Sequence, residues 1–297
     1  MTQTIEQNHG VSTPRDAGGA GGPSAARRGP RLNVPLDIAI PAAVILALGL
    51  SAAVPGLVAS GEPLAMEPAN AFAAPSAGHW FGTDESGRDV FTRVIHGARD
   101  SLLIGILATV IGLGVAVVLG ALAGLGTRKV DFGVSRFLEV LFAFPGLLLA
   151  LLVITILGPG VVTTTLAVGL STAPGYARMI RTQVLSVRRS GYVEASIVQG
   201  RSRWFIIRRH ILPNVAAPLF VLATLGVGQA IVWASSLSFL GLGATPPAPE
   251  WGSMLAAGRG YMSIAWWITL FPGLFIVLSA AATTVLGNGL QRKLKDK

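Results

Sequence analysis

Residues 101–126 read SLLIGILATVIGLGVAVVLGALAGLG, with no charged side chain anywhere in the run. Crossing about 30 Å of hydrocarbon at about 1.5 Å per residue takes roughly 20 apolar residues, so this stretch is long enough to span a bilayer. Lipid offers the backbone no hydrogen-bond partners, and a helix is the conformation that satisfies them within one segment. Ala108, Gly112, Ala116, Gly120 and Gly124 recur at every fourth position and fall on one helical face. Glycine is common in membrane helices, but five small residues in register favour a face that a second helix approaches closely.

Five further runs have similar length and composition, at about 37–58, 137–157, 161–180, 214–238 and 266–290. Across all 297 residues, 52% are hydrophobic and 12% charged, and the mean hydropathy is +0.63. A soluble domain carries about 25% charged residues. The expected fold class is therefore an all-α membrane protein with six transmembrane helices. Residues 1–35, rich in Gly, Pro, Ser and charge, read as a disordered tail ahead of a membrane domain at 36–297. Cysteine is absent, which removes disulfides and thiolate metal sites from consideration.

The net charge of +9 would point to nucleic acid in a soluble protein, but here it reads first as topology. Placing the N-terminus inside puts all but four of the 23 basic residues in cytoplasmic loops or tails. Arg88, Arg93, Arg99 and Arg259 are the four left outside, so both termini are expected in the cytoplasm. The first apolar run, AVILALGLSAAVPGLVAS, resembles a signal-peptide core. Its length and the long tail before it favour a retained span.

The spans lack ionisable groups in their central parts, so no proton or sodium relay is built in. Their most polar members, Gln229, Asn288 and Thr163 to Thr165, read as helix-to-helix hydrogen-bonding groups ahead of substrate contacts. Pro174 and Gly175 can kink the fourth span or form a gate. No segment matches the phosphate-cradling G-x-x-x-x-G-K-[ST] pattern, so any energy source lies on another chain. His79, His96 and His210 are too scattered for a metal site, and no catalytic group is expected. Asp84, Arg88 and Asp89 read as pairing with one another and with Arg93 and Arg99 in an ordered external loop. Trp266 and Trp267 read as interfacial anchors at a span end.

The basic stretch GYVEASIVQGRSRWFIIRRHILPN, residues 191–214, has more order than a topology signal requires. Helix formers run up to Gly200, which can end a helix in a left-handed conformation, and SRWFIIRRH can begin a second short helix. Pro213 suits the first turn of the following span, where its missing N–H is not needed. Taken alone, the loop at about 187–213 is either an orientation signal or a docking knob.

The loop resembles that of permease subunits of ABC importers, whose pattern is E-A-A-x3-G-x9-I-x-L-P. Glu194, Ala195, Ser196, Gly200, His210, Leu212 and Pro213 carry the match. Ser196 departs from the second alanine and His210 from the isoleucine. HWFGTDESGRDVFTRVIHGARDSLLIG (79–105), with Gly82, Thr83, Asp84, Gly87, Arg88 and Asp89, and LSFLGLGATPPAPEWGSMLAAGR (237–259) look like segments of the dipeptide and oligopeptide branch. Similarity extends over about 79–290.

The resemblance implies a type I importer permease in the bacterial plasma membrane, taking up di- or oligopeptides. It implies a heterodimer with a second, related permease, two cytoplasmic ATPase subunits that carry the ATP and Mg, and an external solute-binding protein. This chain would bind no cofactor and no nucleic acid. The loop helices would dock on an ATPase, Gly200 allowing the bend and an arginine such as Arg189 or Arg201 holding Glu194. Import of nickel or another small solute by the same architecture is the alternative, and a self-sufficient channel or carrier the reading from another class.

Overall fold

A computed structural model of the protein describes residues 36–295, and the expected tail at 1–35 lies outside them. The described residues are helical, with one isolated bridge between Thr83 and Asp89 and no strand. Ten α-helices follow in order: α1 Leu36–Ala53, α2 Val90–Leu125, α3 Arg128–Phe142, α4 Gly146–Leu157, α5 Val161–Arg188, α6 Gly191–Val198, α7 Arg203–Ile206, α8 Leu212–Phe239, α9 Trp251–Gly258 and α10 Trp267–Lys295.

Val90–Leu125, Arg203–Phe239 and Trp267–Lys293 are each long and apolar enough to cross a membrane. The run expected as one span at 137–157 is instead two helices, α3 and α4, bent by 90° at Ala143 to Pro145. Pro145 causes the break, because its ring disfavours a helical conformation at Phe144 and it has no N–H to continue the ladder. The second short helix expected after Gly200 is also not separate. It runs on through a π-helical turn at Ile207–Ile211 into α8. Pro213 cannot donate to Arg209 O and its ring presses on that carbonyl, so a wider turn is the low-strain way to continue the helix.

The stripe on α2 sets the centre of the bundle. Ala108, Gly112, Ala116, Gly120 and Gly124 are all buried, and they lie against α5, which runs parallel to α2. A Cβ on Gly112 would come within 2.6 Å of Thr172 Oγ1, and one on Gly120 within 2.8 Å of Ala177 O. Only glycine permits two backbones to approach this closely. α8 and α10 pack antiparallel to each other and close the other side. Ile104, Ile154, Val168 and Ala234 join α2, α4, α5 and α8 in one apolar core. Two further cores sit at the ends. Val90, Val94, Met254 and Trp267 bind the start of α2 to α9 and α10, and Ile180, Val193, Ile206 and Val215 bind the short helices to α5 and α8.

Candidate functional site

At the start of α2, residues 82–89 form a charged knot. Asp84 Oδ1 accepts from the Ser86 and Arg88 backbone N–H groups at 2.9 and 3.0 Å, and Asp84 Oδ2 accepts from Arg88 Nε at 2.7 Å. Arg93 Nε lies 3.6 Å from the same oxygen, and Arg88 Nη2 donates to Glu85 Oε1 at 2.7 Å. Asp84, Arg88 and Arg93 are 3%, 8% and 4% exposed, so these charges are stable only because they answer one another. Arg93 also donates to Pro63 O and Pro247 O, tying the knot to loops far away in sequence. Asp89 caps α2 through Thr92 N at 2.8 Å and receives His79 Nδ1 at 3.1 Å. Gly87, at φ +77°, lies so close to Glu67 O that any side chain would collide with it.

Two expectations for this region change. Arg99 has no ion pair among the described residues. It sits six residues after Arg93, about 120° around the helix, and is exposed. Trp267 is buried at 6% exposure and donates its indole N–H to Thr83 O at 2.9 Å, so it belongs to the knot and not to the membrane interface. Trp266, 51% exposed, remains at the surface. The sequence reading also missed Glu250, which is 1% exposed and caps α9 by accepting from Gly252 N and Ser253 N at 2.8 Å each. Burial pushes its carboxyl above the usual range, against the opposing pull of those two N–H groups. An acid directly before Trp-Gly-Ser was a legible cap signal.

The basic loop lies at the other end of α2, because Arg188 Nη1 donates to Gly124 O at 2.6 Å and α6 begins three residues later. Arg181 makes a bidentate pair with Asp131 of α3 at 2.6 and 2.8 Å. Fifty residues separate the two, and no local pattern pointed to the pair. Gly200 has φ +73° with open space around it, and the chain turns there between α6 and α7. Glu194, Ala195, Gly200, Leu212 and Pro213 are exposed, and Ser196 is buried. The expected arginine clasp on Glu194 is not formed among the described residues. Arg201 instead stacks on Phe205, 5.1 Å from its centroid. α6 is held by Ser196, whose hydroxyl donates to Tyr192 O at 2.9 Å and faces His210 Nε2 at 3.1 Å. With the hydroxyl proton given to Tyr192 O, Nε2 carries the proton of the second contact. The two residues that depart from the family pattern are therefore each other's partners.

Between these ends, a cavity of about 700 Å³ opens against the α3 to α4 bend, the Ser171 to Met179 stretch of α5, and Gln229 and Trp233 of α8. Pro174 and Gly175 line it within an unbroken α5. Tyr176 Oη donates to Gln229 Oε1 at 3.4 Å, and the Arg178 guanidinium lies 4.4 Å from the Phe142 ring centroid. Among the described residues no group of three or more His, Asp or Glu side chains could hold a metal ion.

Residues 116–296 match the family described as binding-protein-dependent transport system inner membrane component. The dipeptide transport system permease protein of Alkalihalophilus pseudofirmus is 42% identical, over 81% of this chain and 79% of its own. The probable D,D-dipeptide transport system permease protein of Escherichia coli is 38% identical, over 89% and 88%. The glutathione transport system permease protein of Pectobacterium atrosepticum is 42% identical, over 75% and 74%. A solved structure of the MetNI methionine ABC transporter in an inward-facing conformation shares the fold, with a TM-score of 0.56 over 68% of this chain and 96% of that one at 18% identity. With this coverage, and with helices built to cross a membrane, the chain belongs to the family of binding-protein-dependent transport system inner membrane components.

Proposed function

We propose that the chain is the membrane-spanning permease subunit of an ATP-driven importer that takes up di- or oligopeptides handed over by an external solute-binding protein. One observation carries the reading. A charged knot and an exposed helical knob sit at opposite ends of α2, whose 36 residues extend about 54 Å. A helix of that length links one face of a bilayer to the other. The knob at Glu194 to Pro213 is the surface for a cytoplasmic ATPase, and the knot at 82–89 organises the face that meets the binding protein.

In this reading α1, α2, the α3 and α4 pair, α5, α8 and α10 make six crossings, with both termini in the cytoplasm of a bacterial cell. A second, related permease completes the pathway as a heterodimer, and two ATPase subunits hold the ATP and Mg. This chain contributes no catalytic group and contacts no nucleic acid. Closure of the ATPases draws the knobs together and switches the bundle between two packed states, biased by nucleotide. The peptide substrate is inferred from the relatives' transport systems and from the loop motifs of that branch.

The test is reconstitution of the chain with its partners in proteoliposomes, measuring ATP hydrolysis as binding protein and candidate solutes are added. Dipeptide on its binding protein is expected to stimulate hydrolysis and drive uptake. Stimulation by nickel and not by peptide would overturn the substrate class. Uptake by the purified chain alone would overturn the importer reading altogether.

A further inference from the structure

The geometry points to the cavity at the α3 to α4 bend as a peptide-binding half-site, in which Arg178 receives the free carboxylate of the passing peptide. The inference rests on the peptide-importer reading above and deepens it.

Three cations on the inner half of α5 show why Arg178 stands apart. Arg181 is held by Asp131 at 2.6 and 2.8 Å, and Arg188 is held by Gly124 O at 2.6 Å. Arg178 is exposed on the cavity wall, rests against Phe142, and has no carboxylate partner among the described residues. A guanidinium resting on an aromatic face keeps its donors free for a planar anion, which it binds with two parallel hydrogen bonds. It is the only side chain of the lining that is charged at neutral pH. The half-site therefore selects for a single carboxylate over a cation or a neutral solute.

The rest of the wall suits the remainder of a short peptide. At about 700 Å³ the cavity falls within the range of small-molecule sites, and its surface is mostly apolar with a few polar groups. Phe142, Tyr176 and Trp233 offer flat apolar faces that accept side chains of differing shape. The Tyr176 to Gln229 contact, at 3.4 Å, is at the long limit of a hydrogen bond. Its breaking frees an amide that both donates and accepts, as a peptide bond requires. Arg178 lies 17 residues into α5, about 25 Å along the helix, so a carboxylate held there has already travelled most of the membrane's thickness.

The absence of cysteine makes the test direct. Met179, 51% exposed on the cavity lining, is changed to Met179→Cys in the complete transporter. N-ethylmaleimide labelling of this chain is then followed by mass, without nucleotide or binding protein. A dipeptide is expected to slow labelling, and its C-terminal amide to need roughly tenfold higher concentration, the ratio of one charge-assisted contact. Adding Arg178→Gln should erase the difference between the two ligands. The comparison of dipeptide with amide needs no change at Arg178, so the test stands even if that variant fails to assemble. Equal protection by dipeptide and amide would overturn the carboxylate assignment. No protection, in an assembly that takes up dipeptide, would overturn the half-site while leaving peptide import intact. No dipeptide uptake by the unsubstituted assembly would overturn the peptide reading, and this ligand with it.

Discussion

The knot at 82–89 and the knob at 190–214 are both rich in charge, yet they are built in opposite ways. In the knot, Asp84, Arg88 and Arg93 are buried and answer one another, with spare donors spent on distant carbonyls. In the knob, Glu194, Arg203, Arg208 and Arg209 lie exposed, and α6 is held by the buried Val193 and by the hydrogen bond between Ser196 and His210. Buried charges must be matched within the chain, because an unmatched one costs several kcal/mol. Exposed charges are free to be matched by something else. The contrast separates a region whose charges maintain its own shape from one whose charges are presented outward.

The largest expected effect lies in the knot. Asp84→Ala leaves Arg88 and Arg93 without their shared acceptor, at a cost of about 3–5 kcal/mol, read as a lower thermal midpoint of the purified assembly. A shift no larger than that of Glu194→Ala would erase the distinction between the two regions. Next comes Gly200→Trp. Open space surrounds the position, but the φ of +73° strains any side chain by about 1–2 kcal/mol. The chain should still insert, with transport and ATPase association down on the order of tenfold, measured by co-purification and uptake. Normal coupled uptake would dismiss the docking role.

Smaller again is the contact between Ser196 and His210. Each of Ser196→Ala and His210→Ile should lower the thermal midpoint by about 1 kcal/mol equivalent, and the double variant should cost less than their sum. Strict additivity would show the pair to be independent. The smallest effect concerns Glu250, whose carboxyl is raised by burial in the folded protein. The folded state then holds its proton to higher pH than the unfolded chain does. This contribution to stability is full below the ordinary carboxylate range and is lost as pH rises through the raised value. Melting of the assembly should therefore ease slightly from mildly acidic toward neutral pH, and Glu250→Gln should flatten that slope.

Much of the architecture was legible because its cause is local. The apolar run at 101–126 requires a helix, and the four-residue recurrence from Ala108 to Gly124 defines a face before its partner is known. Gly200 marked a bend by backbone chemistry alone, and its φ of +73° matches that reading. Less visible were features that depend on where a chain goes next. The span expected at 137–157 ignored how sharply Pro145 redirects α4, and the short helix expected before Pro213 ignored the wider turn that carries α7 into α8. Glu194 attracted an expected arginine partner because neighbours in sequence are the only ones a reader can see. Arg201 rests on the Phe205 ring instead.

By itself, then, the sequence determined a helical membrane protein, its apolar runs, the small-residue face of α2 and the spacing of the loop motifs. Each of these follows from hydrogen-bond satisfaction in lipid or from the period of a helix. The tertiary structure alone decided that Trp267 meets Thr83, that Arg93 reaches Pro247, that Arg181 takes Asp131 and leaves Arg178 over an open cavity. These contacts join residues from about 50 to nearly 200 positions apart, and which of two similar side chains is used and which is spared is settled only when whole helices pack.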